Sequence, residues 1–211
     1  MLDYLAAVRR DATATVELCA QDLARPIVSC PEWTAADLVN HLVETFAGAI
    51  PNFGDATGVD VDTALARAQD MLDNASEEAR AVAQECAIHR WDAAQAFGVD
   101  YSVEPELACD SIPSFFEDAW PMLLDYLKRP AGTGQTLHLH RTDGEGEWLV
   151  TLAERPVVTL EHLKADVAVR GTASDLLLWL WGRMDPPEVF GDVSVLESIR
   201  NPTGRFLSPG F

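Results

Sequence analysis

Glu85 and His89 are the first residues of this sequence whose types and spacing indicate chemistry. They are four positions apart in a segment with helical periodicity, so their side chains leave one helix face with about 5–6 Å between their Cβ atoms. A carboxylate and an imidazole at that distance can bind one cation together. The spacing therefore predicts half of a metal site.

His41 is the third candidate ligand, on a second predicted helix that in an antiparallel bundle can face the helix of Glu85 and His89. Two imidazoles and one carboxylate leave the fourth position of a zinc ion open, as in catalytic zinc sites. An ion held in this way can deprotonate a bound water or thiol near neutral pH. A histidine beside apolar neighbours is more often a hydrogen-bonded core residue, so the spacing alone leaves both interpretations open.

The pair His138 and His140 forms a competing candidate site, because alternate residues of a strand share a face. The charged neighbour Arg141 and the turn that follows favour a solvent-exposed strand. We therefore rank this pair below the helical triad.

The elements that must position these residues are helical from residue 1 to about 130. The second helix begins near Thr34, which can cap it together with Asp37 in a variant of the capping box. A long helix from about Ser76 to Ala96, ended by Gly98, carries Glu85 and His89. The acidic stretch of residues 54–81 predicts a short helix or an ordered loop.

A further helical segment is predicted from about Glu104 to Leu127, where Pro113 and Pro121 imply kinks or a break. The linker at residues 128–135 contains a proline and two glycines, and after it the apolar period changes from 3.6 to 2.

Strands are predicted at 136–140 and 147–152, with two more at 157–160 and 165–169. Thr172 then opens an apolar helix that Gly182 ends, and the run 176–181 is apolar all round, as expected of a buried helix. We predict an α+β fold, with an antiparallel bundle of three or four helices over 1–130 and a small antiparallel-sheet domain over 135–211.

Net charge excludes several classes of partner. The chain has 211 residues and a formal charge of −19, of which −15 lies in residues 1–132 and −4 in the remainder. Nucleic acids and anionic membranes are bound largely through clustered Lys and Arg, so neither is an expected partner. No segment has the roughly 18 consecutive apolar residues of a membrane span, and the first residues lack the pattern of a signal peptide. We therefore expect a cytoplasmic protein.

Four cysteines show no CxxC pair or regular spacing, which predicts buried reduced thiols rather than disulfides or a cysteine metal site.

Several strings of the sequence resemble the mycothiol-dependent maleylpyruvate isomerase family, a branch of the DinB-like metal-binding bundles. In the first half they are SCPEWT at 29–34, DLVNHL at 37–42 and HRWDA at 89–93. In the second half they are DGEGEW at 143–148 and VRGTASDLLLWLWGR at 169–183. The resemblance covers nearly the whole chain in the expected order.

This resemblance implies an N-terminal four-helix bundle that binds a divalent metal, usually zinc. The metal is held by a histidine of the second helix and a Glu-x-x-x-His pair, which here are His41, Glu85 and His89. It also implies a C-terminal domain similar to sterol carrier proteins, in which an arginine helps to form the active cleft. Arg183 is the candidate for this catalytic role, and Arg170 and Arg200 are the alternatives. Arg90 and Asp92 follow the predicted ligand His89. For both residues, a role in supporting that ligand or in packing the helix agrees with the sequence at least as well as contact with substrate.

In the family reaction the thiolate of mycothiol, the low-molecular-weight thiol of actinobacteria, adds to the double bond of maleylpyruvate. Rotation and loss of the thiolate then give fumarylpyruvate. The resemblance thus implies a metal-dependent isomerase, or a transferase that joins the thiol to an electrophile, with a small-molecule substrate and the thiol as partners. Two alternatives stay open, a non-catalytic small-molecule or thiol-binding module and a metal-dependent hydrolase. The sequence leaves the oligomeric state open, and a monomer is compatible with it.

Overall fold

The computed structural model describes residues 2–50, 56–128 and 131–199. It begins with four helices, α1 (Tyr4–Cys19), α2 (Ala35–Ala49), α3 (Val61–Met71) and α4 (Glu77–Phe97). Three helical segments follow, α5 (Pro105–Ser114), a π-helix (Phe115–Ala119) and α6 (Trp120–Leu127). The remaining elements are β1 (Thr136–Arg141), β2 (Glu147–Thr151), β3 (Val157–Thr159), β4 (Val167–Gly171), α7 (Ala173–Leu180), β5 (Glu188–Gly191) and α8 (Ser194–Ile199). The predicted α+β class is confirmed.

The chain divides into two compact units between Ser102 and Val103. The first contains α1 to α4, and the second contains α5 and every later element. This division lies before the boundary predicted at 130–135, because α5 packs with the second unit. The backbone N–H of Val103 donates to Ser174 Oγ of α7 at 3.0 Å, and Arg141 Nη1 of β1 donates to Cys109 Sγ of α5 at 3.2 Å. Among the described residues, no helix has the length and apolar character that crossing a membrane requires.

Local signals set the ends of the helices in the first unit. The amide of Asp37 donates to Thr34 Oγ1 and the Asp37 carboxylate accepts from the amide of Thr34, so the predicted capping box is confirmed. Ser76 caps α4 through its hydroxyl, and Gly98 ends α4 with a positive φ of 67°, which a glycine adopts without steric cost.

The acidic stretch forms a full helix, α3, rather than a loop. Asp60 caps its first turn by accepting from the amide of Thr63, and the buried residues Val61, Leu65 and Ala68 make its apolar face. This helix completes the set of four in the first unit, whereas the segment 105–127 belongs to the second.

Pro113 produces the predicted interruption of the segment 105–127. A proline inside a helix donates no backbone hydrogen bond and crowds the preceding turn. The chain widens into the π-helix directly afterwards, and the amide of Trp120 donates to the carbonyl of Phe115 across five residues.

The sheet has five strands in the order β3-β2-β1-β4-β5. The pairs β1–β2, β2–β3 and β4–β5 are antiparallel, but β1 and β4 are parallel, so the expectation of a wholly antiparallel sheet is wrong. The reason is the connection 160–166, which leaves the β3 edge and returns on the far side of β1. The strand β5 and the helix α8 were not predicted from the sequence.

The two faces of the sheet differ. On one face Leu137 and Leu139 of β1 are fully buried, and Arg141 of the same face contacts α5. The apolar helix α7 belongs to this buried layer, as predicted, and every residue of 176–181 is buried. The opposite face carries the alternate residues of β1, His138 and His140.

Replacing Thr34 with Ala should lower the free energy of unfolding by about 1 kcal/mol, because the cap of α2 loses its side-chain acceptor. Urea denaturation followed by circular dichroism measures this change. Thr13 is exposed in the middle of α1, and Thr13→Ala serves as the control because it should stabilise the helix by at most about 0.7 kcal/mol. A free energy of unfolding for Thr34→Ala equal to that of the unaltered protein would show that the capping box contributes nothing.

Candidate active site

His41, Glu85 and His89 lie together between α2 and α4. One potential ligand atom from each residue lies within 4.8 Å of those of the other two. His89 is fully buried, His41 is 8% exposed, and the Glu85 side chain is 19% exposed. The three residues that the sequence predicts as ligands therefore meet at one point, on helices from one unit.

Within this cluster, His89 Nε2 and Glu85 Oε2 are buried and make no hydrogen bond. They are 3.4 Å apart. Leaving a buried polar atom unsatisfied costs about 1–3 kcal/mol, so two such atoms side by side require an explanation.

Asp92 holds the His89 ring from its other side. Asp92 Oδ2 lies 2.8 Å from His89 Nδ1, so in the neutral ring the proton lies on Nδ1 and the lone pair on Nε2. Asp92 is itself fully buried, and its Oδ1 accepts a hydrogen bond of 2.5 Å from the Ser29 hydroxyl. Burial lowers the pKa of His89, but the hydrogen bond to Asp92 and the nearby Glu85 carboxylate outweigh it, so the pKa is raised.

The loop before α2 covers the two imidazoles. The Trp33 ring lies 4.9 Å from the His41 ring and 5.8 Å from the His89 ring, measured between centroids. The loop is fixed by backbone hydrogen bonds, among them Ile27 N–H to the Trp33 carbonyl at 2.9 Å. The hydroxyl of Thr45, one turn along α2, lies 3.3 Å from His41 Nε2.

These residues fit a divalent metal ion. Two ligand atoms about 2.0–2.1 Å from one tetrahedral zinc ion are roughly 3.3–3.4 Å apart, which is the separation of His89 Nε2 and Glu85 Oε2. An imidazole whose second nitrogen donates to a carboxylate is the usual arrangement of a metal-binding histidine. A cation between the two atoms would also satisfy both.

Arg90 belongs to a different network. Its Nη1 donates to Asp11 Oδ1 at 2.8 Å, and its guanidinium lies 4.2 Å from the centre of the Tyr101 ring. Asp11 is fully buried and also accepts from Arg10, so this network ties α4 to α1. Arg90 therefore packs the helices rather than serving the cluster of His41, Glu85 and His89.

The candidate arginines of the second unit have different surroundings. Arg183 is buried, and its Nη1 donates to the carbonyl of Trp181 at 2.9 Å. Arg170 is exposed, with Nη1 3.4 Å from Glu188 Oε2 on the neighbouring strand. Arg200 lies outside the described residues.

The sequence favoured a solvent-exposed strand for the histidine pair of β1. The structure corrects this interpretation, because His138 is only 7% exposed. Arg141 points to the opposite face of the sheet and pairs with Asp143 at 2.8 Å.

The cysteines are free, as predicted, and Cys19, Cys30 and Cys86 are buried while Cys109 is partly exposed. Burial raises the pKa of the Cys19 thiol to about 11, and burial also raises the pKa of Cys86 and Cys109. These three thiols are therefore protonated near neutral pH.

Sequence reasoning missed the roles of Ser29 and Trp33. For Asp92 the sequence leaves three roles open: supporting the ligand, packing the helix and binding substrate. Its spacing of three from His89 is the signal that favours the first. Ser29 and Trp33 lie in a loop without periodicity, so their contacts with residues far along the chain leave no local pattern.

Comparisons with known proteins agree with the resemblance seen in the sequence. The mycothiol maleylpyruvate isomerase N-terminal domain matches residues 5–81, and the MDMPI C-terminal domain matches residues 106–198. No curated protein matches the chain.

Two solved structures are similar to this chain. One is a histidine-to-alanine mutant of the mycothiol-dependent maleylpyruvate isomerase, with 13% identity, a TM-score of 0.51, and coverage of 98% of this chain and 95% of that chain. The other is the mycothiol-dependent maleylpyruvate isomerase itself, with 12% identity, the same coverage and a TM-score of 0.47. At 13% identity the first of these establishes a shared fold. With the two domain matches, it follows that the chain belongs to the mycothiol-dependent maleylpyruvate isomerase family.

Proposed function

We propose that this protein is a metal-dependent enzyme that uses mycothiol to isomerise maleylpyruvate or a similar small unsaturated acid. The observation that carries the proposal is the pair of unsatisfied buried atoms, His89 Nε2 and Glu85 Oε2, 3.4 Å apart and beside His41. Membership of the isomerase family supports the choice of thiol and substrate.

His41, Glu85 and His89 would hold the ion, with zinc the preferred metal for two imidazoles and one carboxylate. Three protein ligands leave one position for an exchangeable ligand. The ion, when bound, supplies the positive charge that lowers the pKa of a thiol near it. Asp92 keeps the His89 ring in the required tautomer, and Trp33 shields the two imidazoles from water on one side.

The proposed reaction uses a thiol that is not part of the chain. The thiolate forms a carbon–sulfur bond to one alkene carbon of the cis acid, and the π electrons move onto the conjugated carbonyl group. Rotation about the resulting single bond precedes loss of the same thiolate, which restores the double bond in the trans form. Cys86 follows Glu85 directly, but its raised pKa makes it a poor nucleophile, which favours an external thiol.

Arg183 is our proposed partner for a substrate carboxylate. An arginine offers two parallel N–H donors to a carboxylate and keeps its charge when buried. Its burial favours it over Arg170, whose guanidinium is exposed and pairs with Glu188.

The test is an isomerisation assay with zinc-loaded protein, maleylpyruvate and mycothiol, in which NMR follows formation of the trans product. The unaltered protein should turn over only with the thiol present. His41→Ala should lose the zinc ion proposed to lie between His41, Glu85 and His89 and lower kcat/KM by more than about 100-fold, the upper end of the effect of losing a residue that only supports a ligand. Asn40→Ala removes an exposed neighbour on α2 and should change neither quantity.

The same assay tests Arg183. Arg183→Lys keeps the charge but removes the paired donors, so KM for the acid should rise, whereas Arg170→Lys should behave as the unaltered protein. Full activity of His41→Ala, or hydrolysis without thiol, would contradict the proposed function. Thiol consumption with electrophiles but no isomer would indicate a transferase, and thiol binding without turnover would indicate a binding module.

Asp92→Asn should weaken zinc binding by about 10–100-fold, because the neutral amide holds the His89 ring less firmly and makes it a weaker ligand. Competition with a chromophoric chelator measures the affinity. Excess zinc should restore the activity of this variant, an effect that a purely structural role of Asp92 would not produce.

The control for Asp92 is Asp100→Asn, which removes the same charge from an exposed position just beyond α4. Zinc affinity should be unchanged in this control. If Asp92→Asn binds zinc as tightly as the unaltered protein, Asp92 does not position the ligand.

A further inference from the structure

The three histidines of the second unit form another cluster, around one carboxylate. His138 and His140 lie on β1, Glu147 lies on β2, and His162 lies in the crossover connection, residues 160–166 between β3 and β4. The chain has five histidines, and the other two are His41 and His89. Every histidine of the chain therefore lies in one of two clusters.

The fold brings these four residues together from distant positions. His140 and Glu147 are directly opposite in the β1–β2 register, so their side chains share a face, and His138 lies two residues away on that face. The crossover connection must pass from the β3 edge to the far side of β1, across this same face. That path places the His162 ring 5.3 Å from the His138 ring.

Both oxygens of Glu147 have imidazole neighbours. Oε1 lies 2.7 Å from His140 Nδ1, and Oε2 lies 2.5 Å from His162 Nδ1. His138 Nε2 lies 3.6 Å from Glu147 Oε2 and makes no hydrogen bond, although the His138 side chain is only 9% exposed. A buried imidazole nitrogen without a hydrogen bond, directed at a carboxylate that already has two neighbours, leaves room for a shared cation.

We infer that His138, Glu147 and His162 form a second binding site, for a divalent transition metal such as zinc, nickel or copper. One ligand atom from each of the three lies within 4.8 Å of those of the other two. Imidazole suits these metals, whereas magnesium and calcium require oxygen ligands. His140 stays hydrogen-bonded to the second oxygen of Glu147.

The protonation states of the site favour a cation. Burial and the two neighbouring imidazoles lower the pKa of His138, against the opposing effect of Glu147, so its lone pair is available near neutral pH. Burial raises the pKa of Glu147, but the hydrogen bond to His162 and the neighbouring imidazoles more than offset it, and the pKa is lowered. The site thus offers a carboxylate and a neutral imidazole, the forms in which both residues bind metals.

A metal at this site would fasten the crossover connection to the sheet. The His162 side chain is 76% exposed, and Leu160 and Leu163 are exposed beside it. Because the ring is exposed, its nitrogen can shift to share an ion with His138 without disturbing the core. The site lies wholly within the second unit, so it does not depend on the proposed function.

The experiment counts bound zinc in the full-length protein, after loading at a buffered free-zinc concentration, by elemental analysis. The unaltered chain should hold two zinc ions. His162→Gln and Glu147→Gln should each hold one, His41→Ala should hold one, and the double variant of His41→Ala with His162→Gln should hold none. Glu145→Gln removes an exposed charge from the neighbouring turn and should keep both.

A second readout locates the metal. Zinc added to His41→Ala should shift the imidazole NMR signals of His138 and His162, and limited proteolysis within residues 160–166 should slow. Two outcomes would overturn the inference: one zinc ion in the unaltered chain with none in His41→Ala, or two zinc ions retained in both His162→Gln and Glu147→Gln. One zinc ion that is lost in His162→Gln but kept in His41→Ala would instead uphold this site and contradict the proposed function.

Discussion

The contact between His89 and Asp92 is the constraint on which the candidate active site depends. It fixes the tautomer of a fully buried imidazole and turns the other nitrogen of that ring toward Glu85. Asp92 in turn accepts from Ser29, so the same carboxylate anchors the loop that carries Trp33. That loop leads into the capping box of α2, which determines where His41 lies. One buried carboxylate therefore couples the positions of all three predicted ligands.

The net negative charge of the chain bears on what the cluster of His41, Glu85 and His89 must do. The chain carries −19 overall, with −15 in residues 1–132, and such a surface opposes the approach of an anionic acid. Most of these carboxylates belong to solvent-exposed helix faces and caps. Glu85 and Asp92 differ because both serve the imidazole of His89. A mechanism that acts on an anion in this protein therefore needs a local positive charge, and the proposed metal would supply one.

The parts of the fold that follow from neighbouring residues could be predicted, and those that follow from distant ones could not. The box of Thr34 and Asp37, the Gly98 cap and the spacing of Glu85 and His89 depend on contacts within one or two helical turns. The parallel pairing of β1 with β4 depends on the path of residues 160–166, which has no periodic pattern. The change of period near residue 130 marks the start of the strands, whereas the compact units divide where α5 begins to pack with α7. The contact between His162 and His138 could not be predicted either, because His162 lies in this same connection, residues 160–166.

Diffraction at the zinc absorption edge from crystals of zinc-loaded protein tests the central claim most directly, that α2 and α4 together hold one metal ion in an open site. The account predicts an anomalous peak about 2.0–2.2 Å from a nitrogen of His41, an oxygen of Glu85 and Nε2 of His89, with a fourth position held by water or thiol. Asp92 should remain hydrogen-bonded to Nδ1 of the same ring. A zinc-loaded crystal with no anomalous peak between these three side chains, and with Glu85 and His89 in contact only with each other, would contradict it.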